Sequence, residues 1–278
     1  MGFRIRRFAR ENRRSRVVER IARQCEKFLH GYYNQGFYDF ADNGEARVIE
    51  IVAGARPEQP LHVMDVGANR GDWARAVLAR RPDAIVYCFE IVPAIAAALR
   101  DGLAGCPTAH VCEYGLSSAA GEIEVFWNRS SDHTNSVVRQ RGDPSLAAAD
   151  IAAIACTVDT GDAVVERLAI PRIDLLKIDV EGHEIDVLSG FRKTLESAER
   201  RPRVIQFEYG VTWLAPRHTL LEAFQLLEPS GYVVGRLYPD GVDFKPYLLA
   251  DDHFRMGNCI AALAADPLAA KLARFAPL

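Results

Sequence analysis

Asp65-Val66-Gly67-Ala68-Asn69-Arg70-Gly71 places a carboxylate and two glycines where an apolar run (Leu61, Val63) gives way to an amphipathic one (Trp73 to Arg80). That order reads as a buried strand, a glycine loop and a helix. Gly67 and Gly71 let the backbone turn tightly and lie against a ligand, which a β-carbon would prevent. The spacing is G-x-x-x-G, not the G-x-G-x-x-G of dinucleotide sites. At the strand end, Asp65 would repel a pyrophosphate and suit an ammonium or sulfonium group. The loop therefore points to S-adenosylmethionine rather than NAD or ATP.

Three further segments carry acids at the ends of apolar runs. Phe89-Glu90 falls 19 residues after Gly71, a distance that suits a carboxylate gripping ribose hydroxyls. Lys177-Ile178-Asp179-Val180-Glu181-Gly182-His183 crowds two acids and a histidine into a strand-to-helix turn. The helix dipole disfavours a protonated imidazole there, so His183 would stay neutral, as a general base must. Alternatively, Glu181 helps the helix start and His183 simply packs. Lys177, inside an apolar run, is expected to pair with a neighbouring acid. Phe207-Glu208 ends another run. Glu208 beside Asp179 would form a carboxylate pair able to hold Mg2+, which would polarise a hydroxyl. Otherwise Glu208 orients a substrate hydroxyl or pairs with Lys177.

The elements that must bring these groups together begin at Leu61. Sheet strands are expected at 61–66, 84–89, 110–114, 173–180 and 204–209, with a separate short strand at 155–158. Helices are expected at 72–81, 93–100, 162–168, 183–198 and 218–228, with Pro82 stopping the first and Pro93 opening the second. Residues 121–127 alternate polar and apolar, as an exposed strand or hairpin arm does. Strands at 232–237 and 258–263 complete a seven-stranded sheet. Alternating β and α elements imply a doubly wound, mainly parallel α/β sheet with its ligands at the carboxyl ends of the strands. That rule gathers the glycine loop, Glu90, the 113–117 segment, Asp179 and Glu208 on one edge. The polar loop 128–142, with His133 and Asn135, reads as a polyol-binding lid or a plain solvated loop. Trp213 would stack on a sugar face or pack.

The 278 residues are 49% apolar, enough for one sizeable core. A net charge of −3 argues against a general nucleic-acid binder. No apolar run is long enough to cross a bilayer, and no apolar signal-peptide core follows the basic start. Six scattered cysteines without a C-x-x-C pair suggest a reduced, cytoplasmic protein. Residues 1–23 carry nine arginines and two glutamates, and residues 24–59 are rich in aromatics. The first stretch reads as a solvated helix or frayed arm, with a membrane-surface or nucleic-acid role also open. The second reads as a helical cap able to mediate a homodimer. Asp42 is expected to cap a helix over 46–53, with Glu45 completing a capping box.

The chain resembles the FkbM family of S-adenosylmethionine-dependent methyltransferases in Asp65 to Gly71, Phe89-Glu90 and Lys177 to Gly182, with Asn43-Gly44-Glu45 upstream. The resemblance covers roughly residues 40–265. It implies a class I methyltransferase fold with a Rossmann-like sheet, and O-methylation of sugar or secondary-metabolite hydroxyls. By that similarity Asp65, Gly67 and Asn69 face the methionine end of the cofactor and Glu90 its ribose, within a set that includes Ala68, Gly71, Ile91 and Leu116. Residues 59–278 would form the methyltransferase domain and 1–58 an N-terminal extension. Asp179, Glu181, His183 and Glu208 are the candidates for removing the acceptor's proton. A non-catalytic cofactor-binding scaffold and a nucleotide-dependent oxidoreductase are the competing readings.

Overall fold

Short apolar strands alternate with amphipathic helices from residue 62 onward, so each strand can be buried on both faces by the helices that follow it. The computed structural model describes residues 2–37, 39–130, 135–137 and 150–275. The central strands are β1 (His62–Val66), β2 (Ile85–Phe89) and β3 (Ala109–Cys112) on one side. On the other lie β7 (Leu175–Ile178) and β8 (Val204–Tyr209), all parallel. An antiparallel trio, β9 (Tyr232–Tyr238), β10 (Gly241–Phe244) and β11 (Gly257–Leu263), completes an eight-stranded sheet in the order β10-β9-β11-β8-β7-β1-β2-β3. The strand beyond the seven expected is β10, which pairs with β9 across a tight hairpin.

A second sheet of three strands stands apart. Its members are β4 (Gly115–Leu116), β5 (Gly121–Asn128) and β6 (Ile151–Asp159). The strand expected over 110–114 therefore ends early, because the chain leaves the main sheet and Gly115 and Leu116 pair with Val158 and Asp159.

The period of two along each strand sorts side chains onto opposite faces. Met64, Val66, Leu176, Ile178, Ile205 and Phe207 pack with α6 (Gly161–Arg167), α7 (Glu184–Ser189), α8 (Arg192–Glu196) and α9 (Leu220–Leu227). Val63, Val86, Leu175 and Val204 pack with α3 (Glu45–Ala53), α4 (Asp72–Arg80), α5 (Pro93–Leu103) and α10 (Pro267–Leu272). Val48, Ile49 and Val52 of α3 are part of that second cluster, so this helix of the expected extension packs on the main sheet.

Two local expectations are corrected. The helix expected over 183–198 is two helices, α7 and α8, broken at Gly190. A β-carbon on Gly190 would strike the Ser117 carbonyl, and the Asp162 carboxylate restarts the helix by accepting from the N–H groups of Lys193 (2.9 Å) and Thr194 (2.8 Å). Asp42 does not cap α3. Gly44 stands at that position with φ +102°, and the Asn43 side-chain oxygen accepts from Glu45 N–H at 2.9 Å.

At the N-terminus, α1 (Gly2–Glu11) and α2 (Arg16–Tyr32) lie outside both clusters. The chain rejoins the body just after them, where Arg236 donates to the Tyr33 carbonyl (2.5 Å) and Asn34 donates to the carbonyls of Asn43 and Leu237. Of the aromatics expected to form a cap, Phe40 packs on the main body, Phe28, Tyr32 and Phe37 are exposed, and Tyr38 lies outside the described residues. No helix among the described residues is long and apolar enough to cross a membrane.

Candidate active site

A cavity of about 780 Å³ opens at the carboxyl edge of β1, β2, β7 and β8, where the topology places it. Its size is that of a small-molecule site. Gly67, Ala68, Asn69, Glu90, Ile91 and Leu116 line one side; Asp179, Glu181, His183 and Glu208 line the other, with Asn135 on the wall.

The glycine loop is held at the strand ends by backbone. Gly67 and Ala68 N–H both donate to the Phe89 carbonyl at 2.9 Å, and Asp179 N–H donates to Val66 at 2.9 Å. Gly67 sits at φ +81°, and a β-carbon there would collide with the Asp179 carbonyl oxygen. Glycine is thus needed for conformation and for close approach together. Glu90 accepts from Asn69 N–H (3.0 Å) and Val92 N–H (2.9 Å), one bond to each oxygen. Glu90 also lines the cavity, so its carboxylate is within reach of a bound group. Burial raises the Glu90 pKa, and its backbone donors oppose that shift.

Asp65 and Gly71 do not line the cavity. Gly71, at φ +81°, caps α4, and a β-carbon there would press on Leu99. Asp65 is fully buried beneath the wall, register-paired with Lys177 on the neighbouring strand. Lys177 Nζ is 3.6 Å from Asp65 and 3.1 Å from Asp179, and lies 5.8 Å over the Trp73 ring. Burial works against the Lys177 ammonium, but the two carboxylates outweigh it and raise its pKa. Burial also pushes the Asp65 carboxyl up to about 6, with Lys177 opposing. Glu45 joins the same polar layer, accepting from Gln206 Nε2 at 2.6 Å and from Asn43 Nδ2 at 2.6 Å.

The acid turn is organised by Glu184, a residue to which sequence reasoning assigns no distinct role. Its buried carboxylate accepts from Val180 N–H (3.0 Å) and Gly182 N–H (3.0 Å) and so folds the turn back on itself. Burial raises its pKa to about 7 against those donors. An acid at the first position of α7 was the available signal. Glu181 is held at φ +56°, and burial with the Asp179 and Glu184 charges raises its pKa well above the usual range. Glu208 behaves alike, through burial first and then Asp179, Glu181 and Glu184. Its Oε2 is buried without a hydrogen-bond partner among the described residues.

Burial lowers the His183 pKa, with the neighbouring Asp186 charge opposing that shift. Both ring nitrogens are engaged, Nε2 with Ser117 Oγ (2.9 Å) and Nδ1 near Asp186 Oδ2 (3.2 Å). Asp186 in turn meets His218 Nε2 at 3.3 Å. Trp213 does not face the cavity. It is 1% exposed, packed on Phe207 and Tyr209, and has no ring face for a sugar. His133 lies outside the described residues. Among the described residues no group of three or more His, Cys, Asp or Glu side chains is arranged to hold a metal ion, so the Mg2+ expectation gains no support.

A doubly wound sheet with a glycine-loop cavity at its switch between β1 and β7 defines a class I methyltransferase fold. The chain belongs to the FkbM methyltransferase domain family, whose profile matches residues 65–234. It is 28% identical over 212 residues to the 2-O-methyltransferase NoeI of Sinorhizobium fredii, covering 70% of this chain and 81% of that one. It is 30% identical over 204 residues to the hexuronic acid methyltransferase AglP of Haloferax volcanii, covering 71% and 79%. Methyltransferase sdnD of Sordaria araneosa is 30% identical over 208 residues, covering 65% and 76%.

Proposed function

We propose that this protein methylates a hydroxyl oxygen of a sugar, with S-adenosylmethionine in the glycine-loop half of the cavity and the sugar in the carboxylate half. The observation that carries the reading is the unpartnered Glu208 Oε2 in the wall next to Asp179 and Glu181. A buried acceptor without a donor is costly, and a substrate hydroxyl is the group that satisfies it. Two relatives whose names specify 2-O-methyl transfer and a hexuronic acid acceptor support a sugar.

The residues present fit the cofactor: Gly67, Ala68 and Asn69 line the cavity, Glu90 beside them is a buried carboxylate able to accept from ribose hydroxyls, and the acid-rich wall complements a positive charge. When bound, S-adenosylmethionine supplies a methyl group on a sulfonium cation. The chain's own groups do the rest. Glu208 in its ionised form accepts the sugar hydroxyl's proton as the oxygen attacks. Asp179 and Glu181 orient neighbouring hydroxyls, and Lys177 places a positive charge beside Asp179. Holding both partners in line supplies much of the rate. With both nitrogens occupied, His183 positions the turn rather than taking the proton.

Calorimetric titration with S-adenosylhomocysteine tests the cofactor half. Binding that Glu90→Ala weakens is expected; an absence of binding by the native chain contradicts the reading.

A further inference from the structure

We propose that α1 and α2 form an amphipathic element that binds the surface of an anionic lipid bilayer. Ile5 and Phe8 on α1, and Val17, Ile21, Phe28 and Tyr32 on α2, are each between 55% and 72% exposed. The α2 residues recur at i, i+4, i+11 and i+15, which places them along one side of the helix. No residue of α2 is buried, so the described chain offers this stripe no cover. An apolar stripe of this length in water marks an interaction surface.

Charge identifies the occupant. Residues 1–32 hold ten Arg and Lys against three Glu, although the whole chain stands at −3. A second copy would cover the stripe but bring two strongly cationic segments together. A nucleic acid would neutralise the arginines but leave Ile21 and Phe28 in water. An anionic bilayer meets both demands, with apolar side chains at the acyl boundary and arginines among the headgroups. Helices of this composition lie in the plane of the interface rather than crossing it. Just beyond α2, Asn34, Gly36 and Phe37 border the cavity, so docking of α2 sets the cavity rim next to the lipid surface.

Flotation of the full chain with phosphatidylcholine vesicles, and with equimolar phosphatidylcholine–phosphatidylglycerol vesicles, tests the proposal. The chain is expected to float with the anionic vesicles, not with the neutral ones, and less well as salt rises. The double variant Ile21→Glu/Phe28→Glu should lower partitioning by about tenfold or more, and Arg13→Gln/Arg14→Gln by about tenfold. Neither pair lies in the core, so circular dichroism and thermal melting should be unchanged. The proposal is overturned by equal binding to neutral vesicles, by no binding, or by anionic binding that Ile21→Glu/Phe28→Glu leaves intact. It is also overturned by a sedimentation-velocity dimer that this variant dissociates, or by preferential retention of single-stranded RNA over anionic vesicles.

Discussion

Gly67 and Asp179 touch backbone to backbone: a β-carbon on Gly67 would collide with the Asp179 carbonyl oxygen, while Asp179 N–H bonds the Val66 carbonyl. The glycine loop and the acid turn are therefore packed together through their backbones. Gly67→Ala must also bear a φ of +81°. We expect it to cost at least about 2 kcal/mol and to abolish S-adenosylhomocysteine binding. Denaturant unfolding and calorimetry measure the two effects. Native-like affinity in Gly67→Ala would show that the two segments move independently.

Glu208 and His183 separate by kinetics. Glu208→Gln should lower kcat by roughly 10² to 10⁴ while S-adenosylhomocysteine affinity stays within a few-fold. Because burial and the Asp179 charge raise the Glu208 pKa, activity of the native enzyme should rise with pH through that raised value and fall on its acid side. Glu208→Gln should lose this inflection. His183→Ala removes partners from Ser117 and Asp186, so it should cost about 1–2 kcal/mol of stability yet keep much of the turnover. A pH inflection that vanishes in His183→Ala and persists in Glu208→Gln would assign the base the other way.

Asp65 gives a stability prediction with a defined sign. Its folded pKa, about 6, lies above its ordinary 3.8, so the folded state binds more protons between those values. Stability from this group is present below pH 4 and is lost as pH rises through 6. Asp65→Asn, which does not titrate, should therefore gain on the native chain between pH 4 and pH 8 by up to about 3 kcal/mol. Thermal melts at the two ends measure it. A constant difference across that range would mean that Lys177 already stabilises the charged form fully.

Lys177 also bears on metal dependence. Its ammonium, 3.1 Å from Asp179, provides a positive charge where the Asp179–Glu208 pair was expected to hold Mg2+. Dialysis against EDTA should leave turnover within about twofold. Loss of activity restored by Mg2+ would show that the carboxylates recruit a metal despite the lysine.

The glycine loop, Glu90 and the acid turn were legible because each ends an apolar run, and the doubly wound topology places such ends on one edge. The polar layer beneath them was not. Asp65 faces Lys177 through strand register, and Glu45 reaches Gln206 across 161 residues, a contact no local pattern encodes. Trp213 illustrates the opposite failure. A tryptophan just past a strand end looks available to a ligand, but the turn after Tyr209 folds it into the core. The break at Gly190 was hidden as well, because Ile185, Leu188, Phe191 and Leu195 keep a helical period through it while the Ser117 carbonyl and Asp162 decide the geometry.

Sugar O-methylation is tested by incubating the protein with S-adenosylmethionine carrying an isotopically labelled methyl group and a panel of oligosaccharides. The label is then located by NMR. Methyl transfer to a sugar hydroxyl oxygen, lost in Glu208→Gln while S-adenosylhomocysteine still binds, is the predicted result. Label on nitrogen or carbon, or transfer undiminished in Glu208→Gln, would contradict it.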